Sequence, residues 1–449
     1  MDREKQRALP RRTLHYFWHE LRQYRGSFFV MIILGVIGTI LLSTLVPWIF
    51  SRIIDRLDPS YEFEGSILSY FLPLIASAVG IMFVGEMIFR LRLWVLWKNQ
   101  LKMMADLDLL CFQAVANQSM SFHNNRFSGS LVNYTNRFVR SFENLLDNFV
   151  FRIVPFFTLV VASSIVLFRY VPLYAVSLLA IIIIFFIFTY FISKRGFDIR
   201  EKSSRASSEK TGKLADAIGN ILTVKSYARE TDEKRRYHTA VDKVIGLELI
   251  RMRFTTSRHI FNTIVLTVLL ALALVFIVGG TQWFGISIGT AVLIYTYTQI
   301  IFGQMWDVNN IIKDIIEAFS DAVEMTEILD ENPAISDTSP NRLSVAKGDI
   351  IFDNITFNYT ESKRPVFQDF TLEVKAGERV GLVGISGSGK TTLTKLLLRF
   401  SDVDEGAVMI DGQNIKDVSQ KSLRENIAYV PQESLLFHRS IAENISYGR

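Results

Sequence analysis

Residues 379–400 read Arg-Val-Gly-Leu-Val-Gly-Ile-Ser-Gly-Ser-Gly-Lys-Thr-Thr-Leu-Thr-Lys-Leu-Leu-Leu-Arg-Phe. An apolar strand at 378–383 runs into a glycine-rich loop, and the loop runs into a helix at about 389–400. The segment Gly384, Ser386, Gly387, Ser388, Gly389, Lys390, Thr391, Thr392 fits a phosphate-binding loop. Backbone N–H groups and the helix N-terminus hold phosphates there, the lysine supplies a positive charge, and the hydroxyl after it reaches Mg²⁺. The other reading, a glycine-rich turn that binds nothing, leaves the flanking strand and helix unexplained.

Work outward from the loop and the composition changes. The excess of apolar residues, including most of the 35 phenylalanines, lies before residue 307, and the remainder is ordinary globular sequence. Six stretches approach the roughly 20 residues needed to cross a bilayer: 27–51, 66–85, 150–169, 171–193, 260–282 and 285–306. The third is short, with Arg152 and Arg169 placed to snorkel outward. Residues 1–26 carry seven Lys/Arg against three acids, 51–66 two against four, and 194–259 sixteen against nine. Basic loops stay inside. The N-terminus, the loops 86–149 and 194–259 and everything past 307 are therefore expected in the cytoplasm, and a bacterial plasma membrane is the expected location.

The long inner loops carry helical periodicity, as at Leu214, Ile218, Ile221 and Val224, so the spans are expected to continue as helices beyond the bilayer. That places Glu86, Arg90 and Arg92 at or past the inner interface. Residues 13–24 mix aromatics and charges like an interfacial helix. The net charge of +5 is modest and no sign of a nucleic-acid partner, and the single Cys111 excludes an intrachain disulfide.

After a linker at 321–348, residues 349–449 read as strands Asp349–Phe357, Gln368–Lys375 and Ala407–Ile410. Asp411-Gly412 closes a hairpin, and a further strand at 427–430 is ended by Pro431-Gln432. Here the chain resembles an ATP-binding cassette (ABC) exporter half-transporter along essentially its whole length. The resemblance implies a six-span helical membrane domain at 27–320 followed by a truncated α/β P-loop domain with an antiparallel β subdomain. It implies ATP and Mg²⁺ as cofactors, with Tyr359 stacking on adenine, Lys390 at the β- and γ-phosphates, and Thr391 and Gln432 at the metal. Phe122–Gly129 and Thr223–Glu230 look like the regions around the family's two coupling helices.

The pattern departs from the family at its end. The signature motif, the second acidic strand, the catalytic glutamate and the switch histidine are missing before Arg449, so no catalytic residue is nominated and residues 1–449 alone are expected to lack ATPase activity. Glu433 and Glu443 stand in the wrong context for the base. The resemblance implies ATP-driven export by alternating access, in a dimer with a second half-transporter. Membrane lipid surrounds it, and the cargo is a small amphipathic substrate such as a lipid, drug or hydrophobic peptide. The polar Thr263, Thr267, Thr290, Tyr295, Thr296, Tyr297, Thr298, Gln299 and Gln304 of the last two spans serve either that cargo or helix packing. A non-hydrolysing regulatory or channel-like subunit is the alternative. A secondary transporter would pair ionisable residues at the midplane, and the spans are nearly free of them.

Overall fold

The structure is a computed structural model that describes residues 3–57, 66–124, 126, 128–337, 339–359, 365–385, 387–430 and 436–448. The long helices are α1 (Arg3–Gln23), α2 (Arg25–Arg56), α3 (Ile67–Ala116), α5 (Ser128–Tyr170), α6 (Pro172–Gly219), α8 (Glu230–Trp283) and α9 (Ile288–Asp321). Between them sit the short helices α4 (Met120–Asn124) and α7 (Ile221–Ser226), and α10 (Val323–Asp330) follows α9. The breaks fall where the backbone demands them. Val171, ahead of Pro172, takes φ −139° and ψ 77°, outside the helical region that a following proline disfavours, Ala228 turns with φ 51°, and Gly285 with φ 59°. The π-helical turns Ile40–Leu45 and Phe149–Ile153 stand just ahead of Pro47 and Pro155. A widened turn accommodates a ring that lacks an N–H and crowds the preceding carbonyl.

Two compact units emerge, one of residues 14–105 and 140–320, the other of 1–13, 106–139 and 321–449. The core of the first is built by α5, α6, α8 and α9 around Leu167, Tyr174, Phe185, Leu269, Ala273, Ile294 and Tyr297. At one end Asp55 accepts the Gly289 N–H at 2.6 Å, an acidic cap on the first turn of α9. At the other, Arg152 pairs with Asp314 at 2.8 Å and Gln100 donates to Asp147 at 3.0 Å.

Among the described residues five helices are long and apolar enough to cross a membrane: Arg25–Arg56, Ile67–Ala116, Ser128–Tyr170, Pro172–Thr189 and Glu230–Trp283. The sixth expected span falls in α9, where Thr, Tyr and Gln residues lower the apolar content. Several of these are packing groups. Tyr297 is fully buried and donates to the Thr44 carbonyl at 2.8 Å, Thr298 is buried against the Tyr174 hydroxyl, and Thr290 bonds Ser287 at 2.9 Å. The second span also differs from expectation. Asn99, not residue 85, lies level with the start of the first span, because Ser27 donates to Asn99 Oδ1 at 3.2 Å while Gly85 faces Leu42. Glu86, Arg90 and Arg92 therefore lie alongside the first span rather than below it.

In the second unit, α10 is held from two directions. Thr13 and Thr326 share a buried hydroxyl contact at 2.8 Å, and Arg12 pairs with Asp330 at 3.0 Å. Arg137 pairs with Asp321 at 2.6 Å, and Gln118 donates to the Glu331 carbonyl at 3.0 Å. The segment expected to be all linker thus begins with a fixed helix. Native Cys111 is buried in α3, and burial with Asp108 nearby pushes its thiol up to about 12.

The nucleotide-domain residues form a four-stranded antiparallel sheet, ordered β2 (Phe367–Val374), β1 (Ile350–Phe357), β3 (Glu405–Ile410), β4 (Gln413–Asn414). Phe352, Ile355, Phe357, Val408 and Ile410 pack on Leu393 and Leu396 of α11 (Lys390–Leu397). The expected strands at 378–383 and 427–430 are not formed. A strand exists by pairing, and neither segment has a partner strand among the described residues; Val383 is 98% and Val430 87% exposed. The parallel part of the expected α/β core is accordingly absent from the described sheet.

The hairpin turn does more than reverse the chain. Asp411 and Gly412 take φ 48° and 73°, as a two-residue turn requires. The Asp411 carboxylate then accepts N–H groups from Lys347 at 2.8 Å, Gly348 at 2.9 Å, Asp349 at 2.9 Å and Ala346 at 2.7 Å. Those backbone bonds hold its pKa far below the usual carboxylate range. Its contribution to stability is complete above the unfolded value of about 3.9 and fades as pH falls below it, because protonation removes the acceptor. Asp411→Asn should speed amide exchange at residues 346–349 about tenfold or more at pH 6. Unchanged exchange in that variant would contradict the anchoring role.

Candidate nucleotide site

The loop after residue 383 is shaped by its glycines. Gly387 and Gly389 have φ 85° and 92°, conformations that a side chain resists. A Cβ on Gly389 would lie 2.9 Å from the Phe367 ring and 3.0 Å from Val366, so only glycine lets α11 start against β2. Lys390 opens α11, and its Nζ donates to the Gly384 carbonyl at 2.7 Å, the Ile385 carbonyl at 2.8 Å and Ser388 Oγ at 3.3 Å. The amine is thus held within the loop, where phosphate oxygens can take over from the carbonyls. Thr391 is exposed on the first turn of α11, and Thr392 is buried.

Tyr359, 39% exposed, stands edge-on to Phe357 at 5.0 Å between ring centroids, and its hydroxyl meets Thr392 Oγ1 at 3.2 Å. That contact ties the stacking candidate to the phosphate-loop helix. Spacing alone could not show it, since it depends on how the end of β1 packs on α11. Ser386 and Gln432 lie outside the described residues. For Mg²⁺, the hard, exposed hydroxyl of Thr391 beside the loop fits a cation that takes oxygen ligands, water and phosphate. Glu443 has a structural role: it forms a capping box with Ser440 on the helix Ile441–Ile445. Hydrogen bonds from Ser440 lower its pKa.

The segments resembling coupling helices are α4 and α7, each a short helix joining two long ones. Phe122 of α4 is buried, and Arg126 lies 4.1 Å from its ring centroid while pairing with Glu331 at 3.3 Å. The α7 segment buries no residue, and Leu222 and Tyr227 are 79% and 74% exposed. Asn125 and Phe127 are outside the described residues.

In chain order, long apolar helices are followed by a glycine-shaped loop at 384–392 that has the pattern of a phosphate-binding loop. Residues 29–305 match the family described as ABC transporter transmembrane region, and residues 367–448 match ABC transporter. The chain belongs to the ABC transporter family. It is 28% identical to ABC transporter B family member 6 of Dictyostelium discoideum, covering 97% of this chain and 65% of that protein. It is also 28% identical to an ATM1-type heavy metal exporter of Novosphingobium aromaticivorans, covering 98% and 72%. The chain thus spans about two thirds of the length of these relatives. A solved structure of a bacterial Atm1-family ABC exporter with ATP bound superposes with a TM-score of 0.79 at 27% identity, covering 95% of this chain and 74% of the other.

Proposed function

We propose that the protein is a subunit of an ATP-driven exporter that binds MgATP at Tyr359, Gly384–Thr392 and Gln432 and works as a dimer. The observation that carries the reading is Lys390, gathered into a glycine-shaped loop at the start of α11. The exporter names of its relatives support the same direction of transport. Alternating access follows if ATP contacts differ between the two states of the dimer, with α4 and α7 transmitting the movement. The exposed Thr263, Thr267 and Tyr295 offer uncharged polar groups on an apolar surface, which suits a lipid, drug or hydrophobic peptide as cargo.

The test is accumulation of a fluorescent hydrophobic peptide, lipid or drug in inside-out vesicles. ATP-driven uptake is expected for one of these classes in the full-length parent, which would carry the catalytic motifs, and for none in its Lys390→Ala variant. ATP binding without ATP-driven uptake of any of them would favour the regulatory or channel-like alternative. Orientation is checked separately by cysteine labelling. Ser203, although in the basic loop, is buried against Glu248 and is a poor probe. Tyr227→Cys should react with an impermeant thiol reagent only after cells are permeabilised; labelling of intact cells would reverse the orientation.

A further inference from the structure

The register between α2 and α3 places a charged pair where the sequence placed none. Ser27 meets Asn99, a Cβ on Gly35 would lie 2.8 Å from the Arg92 guanidinium, one on Gly38 3.5 Å from Ile88, and one on Gly85 2.7 Å from Leu42. The two helices therefore run antiparallel, side by side, along this length. At the far end of the first span, Trp48 and Arg52 both bond the Tyr170 hydroxyl, where α5 stops. From Ser27 to Arg52 a helix rises about 37 Å, a hydrocarbon core plus a margin on each side. Its midpoint falls beside Gly38, level with Ile88. Glu86 and Arg90 flank Ile88, two residues to either side, and so straddle the bilayer midplane.

Neither side chain is tucked away. Glu86 and Arg90 are 44% and 65% exposed and face each other at 3.6 Å. They interrupt an exposed stripe that includes Val79, Phe83, Trp94 and Trp97. Arg92 adds a third charge just inward. It is 4% exposed, lies 5.0 Å from the Phe89 ring and 4.8 Å from the Phe151 ring, and its Nε has no hydrogen-bond partner among the described residues. Charged groups at this depth are costly against lipid and characteristically face a water-filled path.

We propose that this face of α3 lines the translocation pathway, and that Glu86 and Arg90 bind a cargo carrying an ammonium and a carboxylate on one apolar molecule, a peptide-like zwitterion. The ammonium pairs with Glu86 and the carboxylate with Arg90, each ion regaining the partner that water supplied outside. Arg92 adds positive potential on the carboxylate side, and Trp94, about one turn from Arg90, provides apolar contact. This rests on the exporter reading and names the chemistry of its cargo.

The experiment uses the full chain in membrane vesicles without nucleotide, with Cys111→Ser and Phe83→Cys as the reporter. A cationic methanethiosulfonate should label Cys at 83, and trileucine should slow the labelling at least about fivefold. N-acetyl-trileucine amide, which lacks both charges, should not. Glu86→Gln or Arg90→Gln should abolish the protection by trileucine. The proposal is overturned by absence of labelling, which would put the stripe against lipid or a partner helix. It is equally overturned if both peptides protect alike, if neither protects, or if protection survives the two glutamine variants. Labelling requires no turnover, so loss of ATP-driven uptake would sink the exporter reading while leaving this result untouched.

Discussion

Lys390→Ala should lower photolabelling by 8-azido-ATP at least about 100-fold in apparent affinity, the scale set by removing a charge aimed at a developing or fixed anion in a preorganised site. The structure makes the expectation specific. Lys390 Nζ bonds three points of the loop at once: the Gly384 and Ile385 carbonyls and Ser388 Oγ. Its removal takes the charge from the phosphates and the brace from the loop together. Lys390→Arg separates the two losses, since it retains charge but replaces a compact ammonium with a planar fork. It should bind ATP more weakly than wild type and better than Lys390→Ala. Tyr359→Ala should cost less, roughly tenfold, because it removes stacking and the Thr392 contact while leaving the loop in place. Equal labelling of wild type and Lys390→Ala would contradict the assignment of the site.

Gly289→Val should unfold the membrane unit at a midpoint about 10 °C lower in detergent, or prevent its accumulation. The cause is the crossing of α2 and α9. A Cβ at position 289 would lie 2.0 Å from the Ser51 carbonyl oxygen and 2.5 Å from the Asp55 carboxylate. The obstacle is partly backbone, so neither helix can yield by a rotamer change. Separating them also removes the 2.6 Å bond from the Gly289 N–H to Asp55. Overpacking and a lost cap together are expected to cost about 3 kcal/mol or more. Gly303→Ala on the same helix is the control, because nothing lies within 4 Å of its would-be Cβ. That variant should be neutral or slightly stabilising, by up to about 1 kcal/mol. Similar losses for both variants would show that α9 tolerates no substitution and that the crossing is not the cause.

The sequence by itself determined the parts whose physics is local. The turn geometry of the glycine-rich loop is legible because its glycines are free to adopt left-handed backbone, and Gly387 and Gly389 do. Asp411-Gly412 is legible as a hairpin for the same reason, and the long helices because apolar and helix-forming residues dominate them even where Pro47, Pro73 and Pro155 fall inside. Tertiary structure decided everything that depends on register between distant segments. No spacing along the chain shows that Tyr359 reaches Thr392, that Asp411 gathers the N–H groups of residues 346–349, or that Tyr297 and Thr298 are packing groups. The strands at 378–383 and 427–430 carry the right residues, but a strand forms only where a neighbour accepts its hydrogen bonds. Depth in the membrane is a tertiary property too. Counting apolar residues ends the second span at 85, where Glu86 begins, whereas side-by-side packing continues to Asn99. Hydropathy sums transfer energies along one helix, while the level of a charge is set by the neighbours it packs against.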